Sequence, residues 1–222
     1  MSITDRKERE KEKRRQEILK AAKAIFFRHG FEHSSMDMVA DRCQLAKGTL
    51  YLYFKSKEEL YLSLMEDGLD MLHKLMEQAI EVSQTVDEKL LKTTEAYYDF
   101  TQKHKDYFQI MTMLDSGMFD KVAQEKVERI RKLQVSGFEK LQVVVEDGIT
   151  QGIFPSDLDA KEAVLMSWAG IWGGIMLSTE KRKIIPMFSD VEPKKFVMKI
   201  AQSWLDGLKK KCCCCTTGPV LN

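Results

Sequence analysis

The side chains whose spacing suits chemistry in this sequence lie between residues 47 and 57, and all of them donate hydrogen bonds. The donors are the ammonium groups of Lys47, Lys55 and Lys57 and the hydroxyl groups of Thr49, Tyr51 and Tyr53. Ammonium and hydroxyl groups bind phosphate oxygens and base edges, and a lysine suits the acceptors of guanine. Gly48 adds a position without a side chain, where a backbone can approach closely. The segment therefore suits contact with a nucleic acid.

Two short helices joined by a tight turn are predicted to hold these donors, over about residues 35–54. Apolar residues at offsets of 3, 4 and 7 define the buried face of the first helix, and they are Met36, Val39, Ala40 and Cys43. Residues 44–46 are too few for more than a turn, and Leu50 and Phe54 face the core from the second helix. Ser34 or Ser35 can cap the first helix. This is the pattern of a helix-turn-helix, whose second helix enters the major groove of DNA.

A longer helix is predicted before this motif, over about residues 13–29, and a charged run precedes it. Its buried face consists of Ile18, Leu19, Ala22, Ile25 and Phe26, and Gly30 stands at its end. Residues 5–15 are eleven consecutive charged residues, seven basic and four acidic. One interpretation is a solvated, frayed extension of the helix, and the other is a basic arm that reaches phosphates or a minor groove.

The charge of the chain is unevenly distributed. The 222 residues contain 35 basic and 34 acidic side chains. Residues 1–57 hold 14 of the basic and 8 of the acidic side chains, a net charge of +6, which leaves −5 for the remainder. A basic N-terminal quarter on an acidic body predicts a polyanionic partner for the first part of the chain only.

The run GTLYLYFKSKEEL, residues 48–60, resembles the end of the DNA-binding domain of the TetR family of bacterial transcriptional regulators. The run RRQEILKAAKAIFFRHGFEHSSMDMVA, residues 14–40, is similar to the first two helices of that domain. The resemblance is close over residues 12–72 and is otherwise a pattern of helices. It implies an all-α fold, with an N-terminal three-helix DNA-binding domain and a C-terminal helical domain for ligand binding and dimerisation.

The resemblance implies a set of DNA-contacting residues. They are Arg14, Arg15, Ser34, Ser35, Lys47, Gly48, Thr49, Tyr51, Tyr53, Lys55 and Lys57. For Tyr51 and Tyr53, packing of the ring in the core is the alternative. Two positions depart from the family pattern. Gln44 replaces a glycine, which costs about 1 kcal/mol if the residue is left-handed. Ala46 replaces a capping serine or threonine, which costs roughly 1 kcal/mol more.

Six further helices are predicted, over about residues 56–83, 86–103, 107–116, 119–151, 159–181 and 193–210. The third of these breaks at Asp115, the fourth bends near Ser136, and the fifth is apolar on most sides and should be buried broadly. The implied domains are a charged extension at 1–11, the DNA-binding domain at 12–72, an effector-binding and dimerisation domain at 73–210, and a disordered tail at 211–222.

The resemblance implies a homodimeric repressor that binds a palindromic operator and is released from it by a small effector. The implied dimer interface consists of Ala169, Gly170, Gly173, Gly174, Phe196, Ile200 and Trp204, with a monomer core as the alternative. The candidate effector pocket consists of Met65, Tyr97, Phe100, Phe108, Met111, Trp168 and Trp172, with plain core packing as the alternative. Methionine and aromatic side chains suit an apolar or amphipathic small molecule of unknown identity.

Catalytic and metal-binding functions lack a pattern in this sequence. The four histidines are scattered, the four cysteines at 212–215 lack the spacing of a zinc site, and no cofactor is expected. A charged N-terminus and the lack of an 18-residue apolar run predict a cytoplasmic protein. The rival functions are an all-helical enzyme or lipid carrier, and an adaptor whose basic end binds an acidic protein. A steep loss of DNA affinity with rising salt separates the regulator from both.

Overall fold

The computed structural model describes residues 3–112, 116–182 and 184–209, and within these ranges the chain forms helices and turns without a β-strand. The predicted all-α fold is confirmed. The α-helices are α1 Ile3–His29, α2 Met36–Cys43, α3 Lys47–Tyr53, α4 Lys57–Glu81, α5 Val86–Lys103, α6 Lys105–Thr112, α7 Gln124–Thr150, α8 Ala160–Ile175 and α9 Pro193–Leu208. Across the described ranges, no helix has the length and apolar character needed to cross a membrane.

The chain divides into two compact units. The first unit contains the described residues up to His73 together with Phe100–Gln134, and the second contains Lys74–Asp99 and the described residues from Val135 onward. The helices α4, α5 and α7 each contribute residues to both units. The helices α1, α2 and α3 therefore share their unit with α6 and with the first part of α7.

The N-terminal helix is longer than predicted, because α1 begins at Ile3 and not near residue 13. Its first turns contain neither glycine nor proline, and ion pairs one turn apart join their side chains. Arg6 Nε lies 2.9 Å from Glu10 Oε1, and Arg14 Nη1 lies 2.7 Å from Glu17 Oε2. The charged run is therefore helical and exposed on all sides from residue 5 to residue 14.

Several C-terminal boundaries also differ from the prediction. The helix α6 begins at Lys105, and the predicted break at Asp115 lies outside the described residues. Ser116–Lys121 forms a 3₁₀ turn, so α7 begins only at Gln124, and its helical hydrogen bonding continues unbroken past residue 136. The helix α8 ends at Ile175 and passes into a π-helical turn, Met176–Glu180. The tail from residue 210, with its cysteines, lies outside the described residues.

The core of the first unit combines α1, the helix-turn-helix and α4 with residues from farther along the chain. The five residues predicted as the buried face of α1 are all buried, and Leu60, Leu62 and Leu64 of α4 are at most 1% exposed. Ile110, Met118 and Ile130 complete the same cluster. The hydroxyl of Tyr61 donates to the carbonyl oxygen of Ile110 at 3.0 Å, and burial raises the pKa of this tyrosine to about 12.

Ion pairs join helices within each unit. In the first unit, the buried Glu66 of α4 binds Lys126 at 3.1 Å and Arg129 at 2.5 Å, both on α7. In the second unit, Lys194 of α9 binds Glu95 at 2.7 Å and Asp99 at 3.0 Å, both on α5. These pairs fix the registers of α4 against α7 and of α9 against α5.

We predict that Ile130→Ala destabilises the first unit by about 2–5 kcal/mol, because it leaves a cavity where a fully buried side chain packs against α1 and α4. Thermal unfolding followed by circular dichroism measures this change. Val143→Ala on the same helix is the control, since its side chain is 55% exposed and the change should stay within about 0.5 kcal/mol. Equal effects of the two substitutions would contradict the packing described.

Candidate nucleic-acid interface

The start of α2 is built by two serines with different roles. Ser35 is exposed and is the N-cap, and its Oγ accepts a hydrogen bond from the backbone N–H of Met38 at 3.2 Å. Ser34 is buried, and its hydroxyl donates to the carbonyl oxygen of Gly30 at 2.5 Å. Of the two predicted phosphate-contacting serines, Ser35 is therefore the one at the surface.

The turn between α2 and α3 contains the strain expected from the sequence. Gln44 adopts φ 54° and ψ 41°, which is the left-handed region, so the condition is met under which a non-glycine residue costs about 1 kcal/mol here. The backbone N–H of Leu45 donates to the carbonyl oxygen of Ala40 at 2.9 Å, which closes the end of α2. Ala46 begins α3 without a side-chain cap, also as predicted.

The burial of α3 determines which of its residues face solvent. Leu50 is 0% exposed and Phe54 is 1% exposed, which confirms both as core residues. Lys47, Gly48, Tyr51 and Leu52 are exposed, and Leu52 reaches 75%. Thr49 and Tyr53 are half-buried, and Tyr53 packs against the core cluster. The outer surface of α3 therefore presents the ammonium of Lys47, the bare backbone of Gly48, the phenol of Tyr51 and the apolar side chain of Leu52.

No contact or backbone angle in the described part of the chain requires glycine at position 48 of α3. Its φ is not in the left-handed region, and a Cβ added to it would meet no heavy atom within 4 Å. Alanine is favoured over glycine in a helix by about 1 kcal/mol, so neither packing nor backbone conformation selects glycine here. A close approach by another molecule is a sufficient reason for the missing side chain.

Lys47 is held by an ion pair that the sequence analysis missed. Its Nζ lies 2.6 Å from Oδ1 and 2.9 Å from Oδ2 of Asp37, in the first turn of α2. The hydrogen bond to this carboxylate raises the pKa of Lys47. The two residues are ten positions apart, so only the crossing of α2 and α3 brings them together.

Lys55 and Lys57 make structural contacts next to α3. The Nζ of Lys55 donates to the carbonyl oxygen of Tyr51 at 3.1 Å, which caps the C-terminal end of α3. The half-buried Lys57 donates from Nζ to the carbonyl oxygens of Phe31 at 3.2 Å and Ser34 at 3.4 Å. Ser56 caps the start of α4. The backbone N–H of Glu59 donates to the Ser56 hydroxyl at 3.1 Å, and the Glu59 carboxylate accepts from the backbone N–H of Lys55 at 2.6 Å.

The arginines at the border of the charged run differ in environment. Arg14 is exposed and pairs with Glu17, whereas the guanidinium of Arg15 lies 5.3 Å from the ring centre of Phe54. A surface groove separates the start of α1 from α3, and its lining is rich in cations. The groove is lined by Lys7, Glu10, Lys11, Lys13, Arg14, Glu17 and Tyr53. The half-buried Tyr53 thus borders basic side chains of α1.

The candidate effector residues are divided between the two units. Met65, Phe100 and Phe108 are buried and Met111 is half-buried in the first unit. The second unit holds Tyr97, Trp168 and Trp172. There the indole N–H of Trp168 donates to the hydroxyl of Tyr97, and burial raises the pKa of that tyrosine to about 12. The rings of Trp168 and Trp172 are 6.3 Å apart.

The predicted broad burial of α8 is wrong within one chain, because one face of the helix is exposed. Leu165 is 44% exposed and Met166 is 62% exposed, and the small residues Ala169, Gly170 and the half-buried Gly173 follow on the same face. Gly174 lies on another side of α8 and packs against α9, since a Cβ there would lie 2.5 Å from Cδ1 of Ile200. Phe196, Ile200 and Trp204 are half-buried.

Comparison with known proteins identifies the family of this chain. The model of "Bacterial regulatory proteins, tetR family" matches residues 18–64, which span the end of α1, α2, α3 and the first turns of α4. The chain belongs to the TetR family. It is a DNA-binding transcriptional regulator and not an enzyme.

Three curated relatives illustrate the similarity. The uncharacterised regulator YhgD of Bacillus subtilis is 29% identical over 69% of this chain and 78% of its own. The fatty acid metabolism regulator protein of the same organism is 26% identical over 70% and 78%. The repressor KstR2 of Mycolicibacterium smegmatis is 27% identical over 66% and 70%.

A solved structure shows the same fold along most of the chain. The FadR regulator of Bacillus subtilis, in complex with stearoyl-CoA, superposes with a TM-score of 0.64 at 23% identity. The match covers 88% of this chain and 97% of FadR. At this identity the likeness establishes the fold.

We predict that Gly48→Ala keeps or raises thermal stability, by up to about 1 kcal/mol, and lowers DNA affinity at least tenfold. The added methyl group points into open space in the free protein and would stand between α3 and a bound duplex. Fluorescence anisotropy with labelled DNA measures the affinity. Gly207→Ala is the control, since it also adds a methyl group in open space, on α9. A Gly48→Ala variant that binds DNA as the wild type does would exclude a close approach at this residue.

Proposed function

We propose that the protein is a homodimeric repressor that binds a palindromic operator and leaves it when an amphipathic acyl compound binds. The observation that carries the proposal is the exposed surface of α3, where Lys47, Gly48, Tyr51 and Leu52 face solvent over a core of buried leucine and phenylalanine. Relatives named as a repressor and as a fatty acid metabolism regulator support the finer assignment.

In this proposal α3 lies in the major groove and reads base edges. Lys47 donates to guanine acceptors, and Leu52 contacts a thymine methyl group, because its side chain is the most exposed apolar group on α3. The hydroxyls of Thr49, Tyr51 and Tyr53 donate to phosphates. Arg14, Arg15, Ser34, Ser35, Lys55 and Lys57 supply further phosphate contacts, with the exposed Ser35 and Arg14 better placed than the buried Ser34 and the engaged Lys57.

Dimerisation in this proposal uses the exposed face of α8. Leu165, Met166 and Ala169 form an apolar strip at the surface, and the small residues beside it permit close helix packing. The flanking half-buried residues Phe196, Ile200 and Trp204 of α9 extend the strip. We propose that a second copy of the chain covers this strip. One helix in one groove reads few bases, and a twofold dimer doubles the recognised site.

The two proposed functions are assigned to consecutive parts of the chain. Residues 12–72 supply the DNA contacts, and residues 73–210 supply the effector and dimer contacts. Within the latter range, Phe100–Gln134 belongs to the same compact unit as the DNA-binding helices. Tyr97, Trp168 and Trp172 belong to the other compact unit.

The proposed effector site is the aromatic group of the second unit. Tyr97, Trp168 and Trp172 combine apolar surface with a buried phenol, which suits an acyl chain with a polar end. The Trp168 ring also packs edge-on against Phe138, with 5.5 Å between the ring centres. An acyl chain inserted here would therefore move several rings together. A ligand that favours one arrangement of the dimer over the other shifts the spacing of the two α3 helices.

We predict that stearoyl-CoA lowers the affinity for an operator, isolated from a pool of random duplexes, at least tenfold. Free coenzyme A is the ligand control and should have no effect, because it lacks the acyl chain. Trp168→Ala should remove the response and leave DNA affinity unchanged, while Tyr97→Phe should weaken the response by removing one hydrogen bond. Unchanged affinity with stearoyl-CoA would contradict an acyl effector, and increased affinity would contradict release.

A further inference from the structure

We infer that Asp37 is a specificity-determining positioning residue, which holds Lys47 for reading a base edge and prevents this lysine from serving as an indiscriminate phosphate contact. The inference rests on the proposed insertion of α3 into the major groove. It concerns a residue whose charge is opposite to that expected of a DNA-binding surface.

The ion pair is short, two-pronged and located at the surface. The Lys47 ammonium contacts both carboxylate oxygens of Asp37, at 2.6 Å and 2.9 Å. The two side chains are 58% and 60% exposed, so the pair does not belong to the core. Asp37 lies in the first turn of α2 and Lys47 begins α3, which places the pair where the two helices meet beside the exposed surface of α3.

The surface around this pair is nearly neutral. The exposed charged side chains of α2 and α3 are Asp37, Asp41, Arg42 and Lys47, two of each sign. The excess positive charge of residues 1–57 lies instead on α1 and in the loop before α4. Sequence-independent attraction to phosphates is therefore concentrated away from the helix proposed to read bases.

The number of hydrogens on the ammonium group separates base reading from phosphate binding. Lysine has three N–H donors, and the two oxygens of Asp37 engage two of them. The third can donate to guanine O6 or N7 while the ion pair persists. A phosphate is an anion like the Asp37 carboxylate, so it competes with Asp37 for the same ammonium group. Lys47 consequently gains little by exchanging Asp37 for a phosphate.

The experiment is a double-mutant cycle on mixed-sequence DNA, with Asp37→Asn, Lys47→Ala and the double variant. Affinity for a 30-base-pair duplex is measured by fluorescence anisotropy over a series of salt concentrations. Asp41→Asn is the matched control, since it removes the same charge from the same helix and Asp41 has no ion pair among the described residues. Thermal unfolding shows whether each variant is folded.

We expect Asp37→Asn to raise affinity for mixed-sequence DNA three- to tenfold at moderate salt. It should steepen the log–log salt dependence by about 0.9, the value for one further neutralised phosphate. Asp41→Asn should leave the slope unchanged, and Asp37→Asn should have no effect on the slope when Lys47 is already alanine. Selection from random duplexes should recover a less defined sequence with Asp37→Asn than with the wild type.

Three results would overturn the inference, and the first two concern the salt dependence. One is an equal change of slope for Asp37→Asn and Asp41→Asn, and the other is a slope change that persists without Lys47. A role of Asp37 limited to stabilising the start of α2 would lower the melting temperature and leave the slope unchanged, which also overturns it. A wild type that recovers no preferred sequence would contradict the proposed function, whereas the slopes on mixed-sequence DNA would still decide the role of Asp37.

Discussion

The burial of Leu50 and Phe54 is the constraint on which the account of this protein depends. Leu50 lies on α3 and Phe54 is the residue that follows its last turn, and both pack into the core formed with α1 and α4. Because a helix turns once in 3.6 residues, packing of Leu50 directs Gly48, Tyr51 and Leu52 outward. Lys47 is exposed because it lies in the first turn of α3. The identity of the core residues thus selects the side chains that a duplex can meet.

The same core explains why a costly turn is tolerated. Gln44 in the left-handed region and Ala46 without a capping side chain each cost about 1 kcal/mol. Burial of one leucine or phenylalanine side chain contributes about 1.5–3 kcal/mol, so the packing of α3 offsets both costs. The turn is held by the hydrophobic contacts on its two sides rather than by its own residues.

Periodicity in the sequence was sufficient for most of the fold and for the core of the site. The buried face of α1, the helix-turn-helix and the bounds of α5 follow from apolar spacing, glycine and serine positions. The early start of α1 was missed because a run of exposed charges has no apolar period, although its ion pairs stabilise a helix. The exposed face of α8 was missed because composition alone does not show which sides of an apolar helix the same chain covers.

Contacts between distant residues were beyond the reach of sequence patterns. The pairing of Lys47 with Asp37 and the engagement of Lys57 by the carbonyl oxygens of Phe31 and Ser34 depend on how helices cross. The ion pair with Asp37 neutralises the charge of Lys47 at the interface. The ammonium of Lys57, a predicted phosphate contact, donates instead to carbonyl oxygens of the loop after α1. Both change the roles of lysines that look equivalent in the sequence.

The most direct measurement is the DNA sequence that the purified protein recovers from a pool of random duplexes. The account predicts an inverted repeat whose half-sites are centred about one helical turn apart, 10–10.5 base pairs, or a multiple of that distance. Such a repeat requires both an α3 that reads bases and a twofold dimer. A single unrepeated motif would contradict the dimer, and recovery of no preferred sequence would contradict base reading by α3.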